Sequence, residues 1–534
     1  MTRVTLNALP RRQFLTLCAL TTLPAMLSAC LEQTPRVTPA TQVPRPTVTP
    51  SPVPPPGESD WLSLASNLKG SLVRPGNSQY RVASELFNPL FDGVRPQAVT
   101  FCASAADVQL SLAFARRFGL PLAPRAGGHS YGGYSTSTGI VIDVTRMNRV
   151  TVDAASGVAN VGAGARLIDV YSGLAAEGLA LPAGSCPTVG VAGLTMGGGV
   201  GVLGRKFGLT CDSLVAAEIV LADGRLLTCD ADHEPDLFWA LRGGGGGNFG
   251  VVTEFTFNVY PVAAVSLFTL NWPWASAVDM IDGWQRWAPQ APDELWSNCL
   301  LLTTDDKSSL PLARVNGVYV GEVSALETLL GQLSNLIGSG PTSSYVSGAG
   351  LLETMLIEAN CGGLTVNECH LPSQTPLGQL TRDIFGAKSD YFTSKLPRAA
   401  IANLVSAVAS RQRSSSLGPG LIGLDASGGA INRVAPSATA FVHRTSLFSA
   451  QYFANWYARD APGVVAANRA WLLDTWQSMR SYANGEAYQN YLDPDLDGWQ
   501  NAYYGANLPR LQQVKATYDP TNLFHFDQSI PPAS

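Results

Sequence analysis

Histidine and charge are both scarce in this chain. Five histidines in 534 residues, and nine cysteines with no C-x-x-C spacing among them, leave too few clustered ligands for structural zinc. No metal site is expected. Charged residues make up only 14%, the net charge is −5 and no long basic run occurs, so the chain carries no electrostatic footprint for nucleic acid and none is expected as a partner. Beyond residue 30 no apolar run is long enough to cross a bilayer. What is plentiful is hydrophobic residues, at 46%, and glycine, at 52 residues. The first promises large cores, and the second many places where backbone comes very close to its surroundings.

The N-terminus reads as an address. Arg11-Arg12-Gln13-Phe14-Leu15 opens an apolar run that ends at Leu27-Ser28-Ala29-Cys30. Residues 1–30 therefore read as a twin-arginine lipoprotein signal with Cys30 as the lipidated residue, the alternative being a plain membrane anchor with an incidental cysteine. Export by the twin-arginine route is expected, to a lipid-anchored, extracytoplasmic position at a bacterial cell envelope, with the lipid as the only membrane contact. Residues 31–58 hold nine prolines and read as an extended linker. Setting aside Cys18 and Cys30, seven of the nine cysteines remain, an odd number for an oxidising compartment. Cys361 and Cys369, in CGGLTVNEC, are spaced for a small disulfide loop, Cys211 with Cys229 is a weaker second pair, and Cys186 is the candidate for the leftover thiol.

The body alternates short apolar strands with helices and glycine loops, an α+β or α/β pattern. Strands are expected at 98–102, 120–124, 139–144, 214–221, 226–228 and 251–259, and a helix at 105–118. After Pro261 glycine thins out and tryptophans appear at 272, 274, 284 and 287, marking a second domain to about residue 483.

Three glycine loops punctuate the first domain. The first, RAGGHSYGG from Arg125 to Gly133, contains G-x-S-x-G around Ser130, the pattern of a hydrolase nucleophile elbow. An elbow needs a strand running into the serine and a helix leaving it, whereas here a proline interrupts the strand and Tyr131 to Gly139 has little helix propensity. A serine esterase would draw on Asp425 and on His443 or His525. The second loop, GSCPTVGVAGLTMGGGVG, carries G-x-G-x-x-G at Gly199, Gly201 and Gly204 without the compact βαβ unit that a dinucleotide fingerprint requires. The third is Arg242 to Gly250, RGGGGGNFG, which feeds a strand. Three such loops in one domain suit a pyrophosphate cradle and a flat ring lying against backbone.

These loops, with AYQNYLDPDL and WQNAYYGANLPRLQQVKATYDPTNLFHFDQSI near the C-terminus, resemble the berberine bridge enzyme-like FAD-linked oxidases of the vanillyl-alcohol oxidase group, over about residues 86–530. The resemblance implies an α+β fold in which a two-lobed FAD-binding domain, 59–260, joins an α/β substrate domain with an antiparallel sheet, 261–485. A C-terminal segment, 486–534, returns to the FAD domain. It also implies FAD held by two covalent bonds, through His129 and Cys186, which gives the odd thiol a purpose and makes Ser130 a loop residue. Further cofactor contacts map to Arg125, Ala126, Gly127, Gly128, Ser130, Gly132 and Gly133, then to Gly190, Gly193, Gly197, Gly198 and Gly201, and to Gly250, Val252 and Asn490. Tyr491 matches the family's base and Asp425 the acidic position that supports or replaces it, with Tyr131 a candidate for the pocket wall. Val189 matches a position where a small residue admits dioxygen. The implied activity is oxidation of an alcohol or sugar hydroxyl by hydride transfer to flavin, with dioxygen as acceptor, hydrogen peroxide as product, and oligosaccharides or glycosides among the substrates. A dehydrogenase with another acceptor, an oxidase of a secondary metabolite, and a binding lipoprotein whose cofactor site has decayed are the alternatives.

Overall fold

The computed structural model describes residues 54–533. Cys30, the twin-arginine segment and the linker up to residue 53 lie outside the described residues.

Two small sheets form the first lobe pair. In one, Ala98–Phe101, Ile140–Asp143 and Leu122–Arg125 run parallel, with Ser71–Val73 antiparallel at the edge. The parallel strands are buried, as near-continuous apolar runs require. The Ala105–Phe118 helix packs beside them. Its ends are written in the sequence: Ser104 accepts a hydrogen bond from the Asp107 amide, Arg116 and Arg117 occupy the last turn, and Gly119 closes it at φ 61°. The strand expected at 120–124 begins only at Leu122 and runs to Arg125. The second sheet is antiparallel, in the order Val150–Asp153, Val158–Gly162, Val251–Asn258, Leu214–Val220, Leu226–Asp230.

The third sheet has seven strands, all antiparallel: Ser343–Ala349, Val265–Trp272, Leu312–Tyr319, Leu295–Leu302, Gly420–Ala426, Phe448–Trp456 and Ile384–Phe392. Along its central strands buried residues alternate with partly accessible ones. The buried side, including Phe268, Leu270, Cys299, Leu301, Leu424 and Tyr452, forms one core with Trp284 and Leu404 of the helices Ala277–Trp287 and Arg398–Arg413. The other side mixes polar residues, among them Asn298, Arg314, Asn316, Asp425 and Gln451, with apolar ones such as Trp296, Val318 and Phe453.

Cys361 and Cys369 form the expected disulfide. Cys211 and Cys229 do not. Register places Cys229 opposite Ala217, while Cys211 lies in a 3-10 turn ahead of that strand, so the two thiols are buried apart. Five free cysteines therefore occur among the described residues, and the parity argument does not single out one of them. Exposure does: Cys102, Cys211, Cys229 and Cys299 are buried, and Cys186 is exposed.

Candidate active site

The first glycine loop leaves the parallel sheet at a fixed point. The buried Arg125 guanidinium donates to Asp143 Oδ2 at 2.5 Å and to the Ala83 carbonyl at 2.7 Å, so this side chain anchors the loop rather than reaching out of it. Two residues later the first and second loops cross. A Cβ on Gly127 would sit 2.1 Å from the Gly190 nitrogen, and one on Gly190 would sit 2.2 Å from the Gly127 nitrogen. Only glycine at both positions permits that crossing, which carries His129 to the second loop. There His129 Nε2 lies 2.8 Å from Thr188 Oγ1, and the ring stacks on Phe87 at 4.1 Å. Burial, helped by the nearby Arg166 charge, holds the imidazole pKa down at about 3, so the ring is neutral. Nε2 is engaged with Thr188, and Nδ1 has no partner among the described residues.

Cys186 is held by the backbone on its C-terminal side. The Ile168 amide donates to the Pro187 carbonyl at 3.1 Å, and the Leu167 amide to the Val189 carbonyl at 3.0 Å. Cys186 is exposed to solvent, yet protein surrounds it closely enough that desolvation raises its thiol pKa. The loop continues into the Val191–Met196 helix, where Thr195 Oγ1 is buried without a partner and a Cβ on Gly193 would meet nothing within 4 Å. A neutral imidazole, an accessible thiol, an orphaned hydroxyl and open backbone on adjoining loops fit a flavin nucleotide. Several other loop glycines have a different reason. Gly197 abuts the Asn490 amide, Gly198 abuts Phe441, Gly201 the Ala183 carbonyl and Gly250 the Val220 carbonyl, so they pack protein on protein. Gly132 abuts the Tyr134 ring and Gly133 the Phe91 ring, whereas Gly128 has only looser neighbours. Val252 is a buried strand residue.

The mixed face of the large sheet supplies the opposite wall. Tyr131, two residues after His129, accepts a hydrogen bond from Gln451 Nε2 at 3.1 Å and stacks on Tyr491 with centroids 5.2 Å apart. Tyr488 stands edge-on to Tyr491 at 4.9 Å and accepts the Gly199 amide at 3.0 Å. Asn490 Nδ2 donates to the Leu194 carbonyl and to Tyr488 Oη, so its amide joins the C-terminal segment to the second loop. Asp425 lies on the strand next to Gln451's and is pushed up to about 6 by burial, with Asn298 across the strands pulling it back. The Tyr491 phenol is raised well above 10 by burial, then by Tyr131 and Asp425. No direct hydrogen bond joins Asp425 to Tyr491, so the two expected catalytic groups interact through the field. Glu358, at the end of the Leu351–Glu358 helix, is raised to about 7 by burial and by the Asp425 charge. Sequence reasoning missed Glu358, Gln451, Thr188 and Phe87, because each matters only through a neighbour distant in the chain.

The esterase alternative has no assembled triad. Ser130 Oγ accepts the Tyr134 amide at 3.0 Å, His443 bridges Glu486 and Gln489, and His525 meets Asn522 and Ser529.

Comparison with known proteins gives the site its family. Residues 96–230 match the FAD binding domain model and residues 487–531 the berberine and berberine like model. An FAD-linked oxidoreductase of Bacillus subtilis (strain 168), YgaK, is 35% identical over 475 residues, 88% of this chain and 98% of that protein. The chain is a berberine bridge enzyme-like FAD-linked oxidoreductase. The fold of this family, an FAD-binding domain beside a substrate domain with a large antiparallel sheet, is the fold described above. The BBE-like 1 protein of Physcomitrella patens superimposes with a TM-score of 0.80 at 32% identity, covering 89% of this chain and 99% of that one. A chitooligosaccharide oxidase superimposes with a TM-score of 0.78 at 27% identity, covering 89% and 99%. Some relatives of this oxidoreductase thus act on sugars.

Proposed function

We propose that this BBE-like oxidoreductase oxidises a hydroxyl-bearing carbon of a sugar or related alcohol, holding FAD through His129 and Cys186. The observation that carries the reading is Tyr131. From the loop of the neutral His129 it reaches the strand beside Asp425, so the proposed cofactor anchor and the proposed base face one space. Bound FAD supplies a two-electron acceptor for hydride, and dioxygen takes those electrons to give hydrogen peroxide.

The protein's part is binding and proton handling. Oxidation to a carbonyl removes a hydride from carbon and a proton from the hydroxyl. Asp425 is the group poised to take that proton at neutral pH, directly or through Tyr491, because at about 6 it is ionised there and it lies on the strand beside Gln451, the partner of Tyr131. Tyr491 stays protonated on its own and orients the hydroxyl, while Tyr131, tied to Gln451, fixes the ring of Tyr491. The neutral imidazole leaves Nδ1 as the attachment nitrogen. Val189, three residues from Cys186 and partly buried, is the proposed opening for dioxygen and favours an oxidase over a dehydrogenase with another acceptor. The similarity to a chitooligosaccharide oxidase supports a carbohydrate substrate.

The test is to precipitate the protein in acid, remove free small molecules, and record the pellet's visible spectrum with the masses of the His129 and Cys186 peptides. Flavin on both peptides supports the reading, and a colourless pellet from protein made with ample FAD ends it. Arg11-Arg12 and Cys30 support a lipid-anchored, exported protein, for which Cys30→Ser should move the protein from the membrane to the soluble fraction.

A further inference from the structure

Three consecutive side chains ahead of Tyr491 tie its segment to the glycine loops. Tyr488 Oη accepts the Gly199 and Val200 amides at 3.0 and 3.3 Å, and Asn490 Nδ2 donates to the Leu194 carbonyl at 3.0 Å, all on the second loop. Between them, Gln489 Nε2 donates to the Gly243 carbonyl of the third loop at 2.7 Å. The third loop is in turn held to the second, because the Gly243 and Gly245 amides both donate to the Met196 carbonyl, at 3.0 and 2.9 Å. Tyr491 follows directly, its amide bonded back to the Tyr488 carbonyl at 2.8 Å. Its ring therefore stands where these three anchors leave it.

The middle anchor carries a proton requirement that the outer two lack. A carbonyl only accepts, so the Gln489 amide nitrogen faces Gly243 and its oxygen faces the other way, 3.2 Å from His443 Nε2. That pairing needs a hydrogen on Nε2. At the far side of the ring, Nδ1 lies 2.9 Å from Glu486 Oε2. Burial by itself raises the Glu486 carboxyl, yet the hydrogen bond and charge of His443 bring it below its ordinary value, so the shared proton belongs to Nδ1. Both ring nitrogens donate, and the buried ring is an imidazolium. It stacks on Tyr391 at 4.3 Å and meets Phe441 edge-on at 5.1 Å, and an aromatic face suits a cation. Of the other ionisable groups around it, Arg444 is paired with Asp212 at 2.7 and 2.8 Å, and Arg242 lies over Phe238 at 4.4 Å. Tyr391, Tyr488 and Cys211 are all raised by burial and stay neutral. Glu486 alone among the described residues balances the ring's charge.

We propose that His443 is a positioning residue for Tyr491 and acts only while its ring carries both protons. The proposal rests on the reading of Tyr491 as the residue that orients the reacting hydroxyl. Losing the Nε2 proton sets a lone pair against Gln489 Oε1, and turning the amide over sets that oxygen against the Gly243 carbonyl instead. Losing the Nδ1 proton sets a lone pair against the Glu486 carboxylate, the stronger of the two partners, so Nε2 is the nitrogen that gives up its proton. In every arrangement of the neutral ring one acceptor faces another, at the cost of a buried bond left unmade. The anchors of Tyr488 and Asn490 take their hydrogens from amides, which do not titrate. Rising pH therefore releases the Gln489 anchor first and loosens the placement of Tyr491 against the second loop.

The experiment uses the full chain with its own flavin, its five histidines labelled with heavy nitrogen in the ring. Nitrogen NMR at pH 7 should show the His443 ring with both nitrogens protonated, identified as the signal that His443→Gln removes. A bare nitrogen on that ring at pH 7 would overturn the proposal. Deuterium exchange of residues 486–491, corrected for the intrinsic rate, should rise as that signal titrates. Glu486 is partly exposed, and Glu486→Gln should move both the titration and the exchange to lower pH by about one unit or more, the effect of losing a charged partner. The same shift identifies the ring should His443→Gln fail to fold. Exchange that stays flat through the titration, or that does not move in Glu486→Gln, overturns the anchor. Peroxide release from cellobiose then reads the link to Tyr491. On the alkaline side kcat/KM should fall about tenfold per pH unit as the ring titrates, and the fall should move with the ring in Glu486→Gln. A fall that stays where it was overturns the positioning role. Should the sugar not be oxidised, the sugar-oxidase reading fails instead, and NMR with exchange decides whether His443 holds the segment.

Discussion

As the proposed base, Asp425 ties the proposed reaction to one titration. Its pKa of about 6 means that the carboxylate able to accept a proton is present above that pH, so kcat/KM should rise with pH through about 6. Asp425→Asn should lose that limb and about 10²–10⁴-fold in rate, the usual worth of a general base. Glu358→Gln should keep the limb, because Glu358, at about 7, is still protonated while Asp425 ionises. The same shift has a stability consequence of defined sign. The native state holds the Asp425 proton more tightly than the unfolded chain, so this residue costs progressively more stability as pH rises from about 4 through about 6. Asp425→Asn should therefore melt higher than the wild type at pH 8 and keep only part of that advantage at pH 5, measured by thermal unfolding across the two buffers. Asp425 could be picked out in the sequence as a carboxylate ahead of a glycine pair. Glu358 could not, since what raises it is burial in the folded chain and then the Asp425 charge, 67 positions away on another element.

Elements explain why the proposed attachment residues are so placed. The Cys361–Cys369 loop packs on Ile168, the residue of the Leu167–Ala175 helix whose amide holds the Pro187 carbonyl beside Cys186, and His370 reaches Asp169 of that helix at 3.4 Å. Replacing both cysteines with serine should cost about 2–3 kcal/mol by the loop-closure estimate for so short a loop. It should also lower the fraction of flavin bonded at Cys186 more than that at His129, read by peptide mass. The glycine crossing is less forgiving. Gly127→Ala places a methyl against the Gly190 backbone, which has no flexible side chain to move aside, so folded yield and bound flavin should fall together. Ser130→Ala should keep the flavin attached. At this scale the sequence was readable where the signal is local. Helix Ala105–Phe118 carries its own caps, and the strands were located to within two residues at most ends. The polar row Asp425, Asn298, Asn316 was not readable, because it exists only once strands from three separate stretches take their register. The Cys211 and Cys229 pairing failed for the same reason: closeness in sequence said nothing of the strand between them.

At the scale of the whole molecule, the C-terminal segment ties the glycine loops to the large sheet. Gln489 Nε2 donates to the Gly243 carbonyl, the Tyr488 amide to Ser389 Oγ, and Lys388 Nζ lies 2.5 Å from Asp493 Oδ2 with both side chains buried. The Asp493 amide donates to Tyr503 Oη and its carbonyl accepts from Gln528 Nε2, so the ion pair sits where the sheet, the segment carrying Tyr491 and the C-terminal stretch meet. Burial raises the Asp493 pKa more than Lys388 lowers it, a sign that this pair serves geometry rather than net stability. Removing one partner exposes the imbalance. Lys388→Met should destabilise the protein by about 3–5 kcal/mol, because it strands a buried carboxylate. That carboxylate then has a folded pKa well above its unfolded value, so the penalty should be largest above neutral pH and shrink as pH falls and Asp493 takes up a proton. Thermal unfolding of Lys388→Met at pH 5 and pH 8 checks the sign. A larger loss at pH 5 would mean that Asp493 is held as a charge by something other than Lys388.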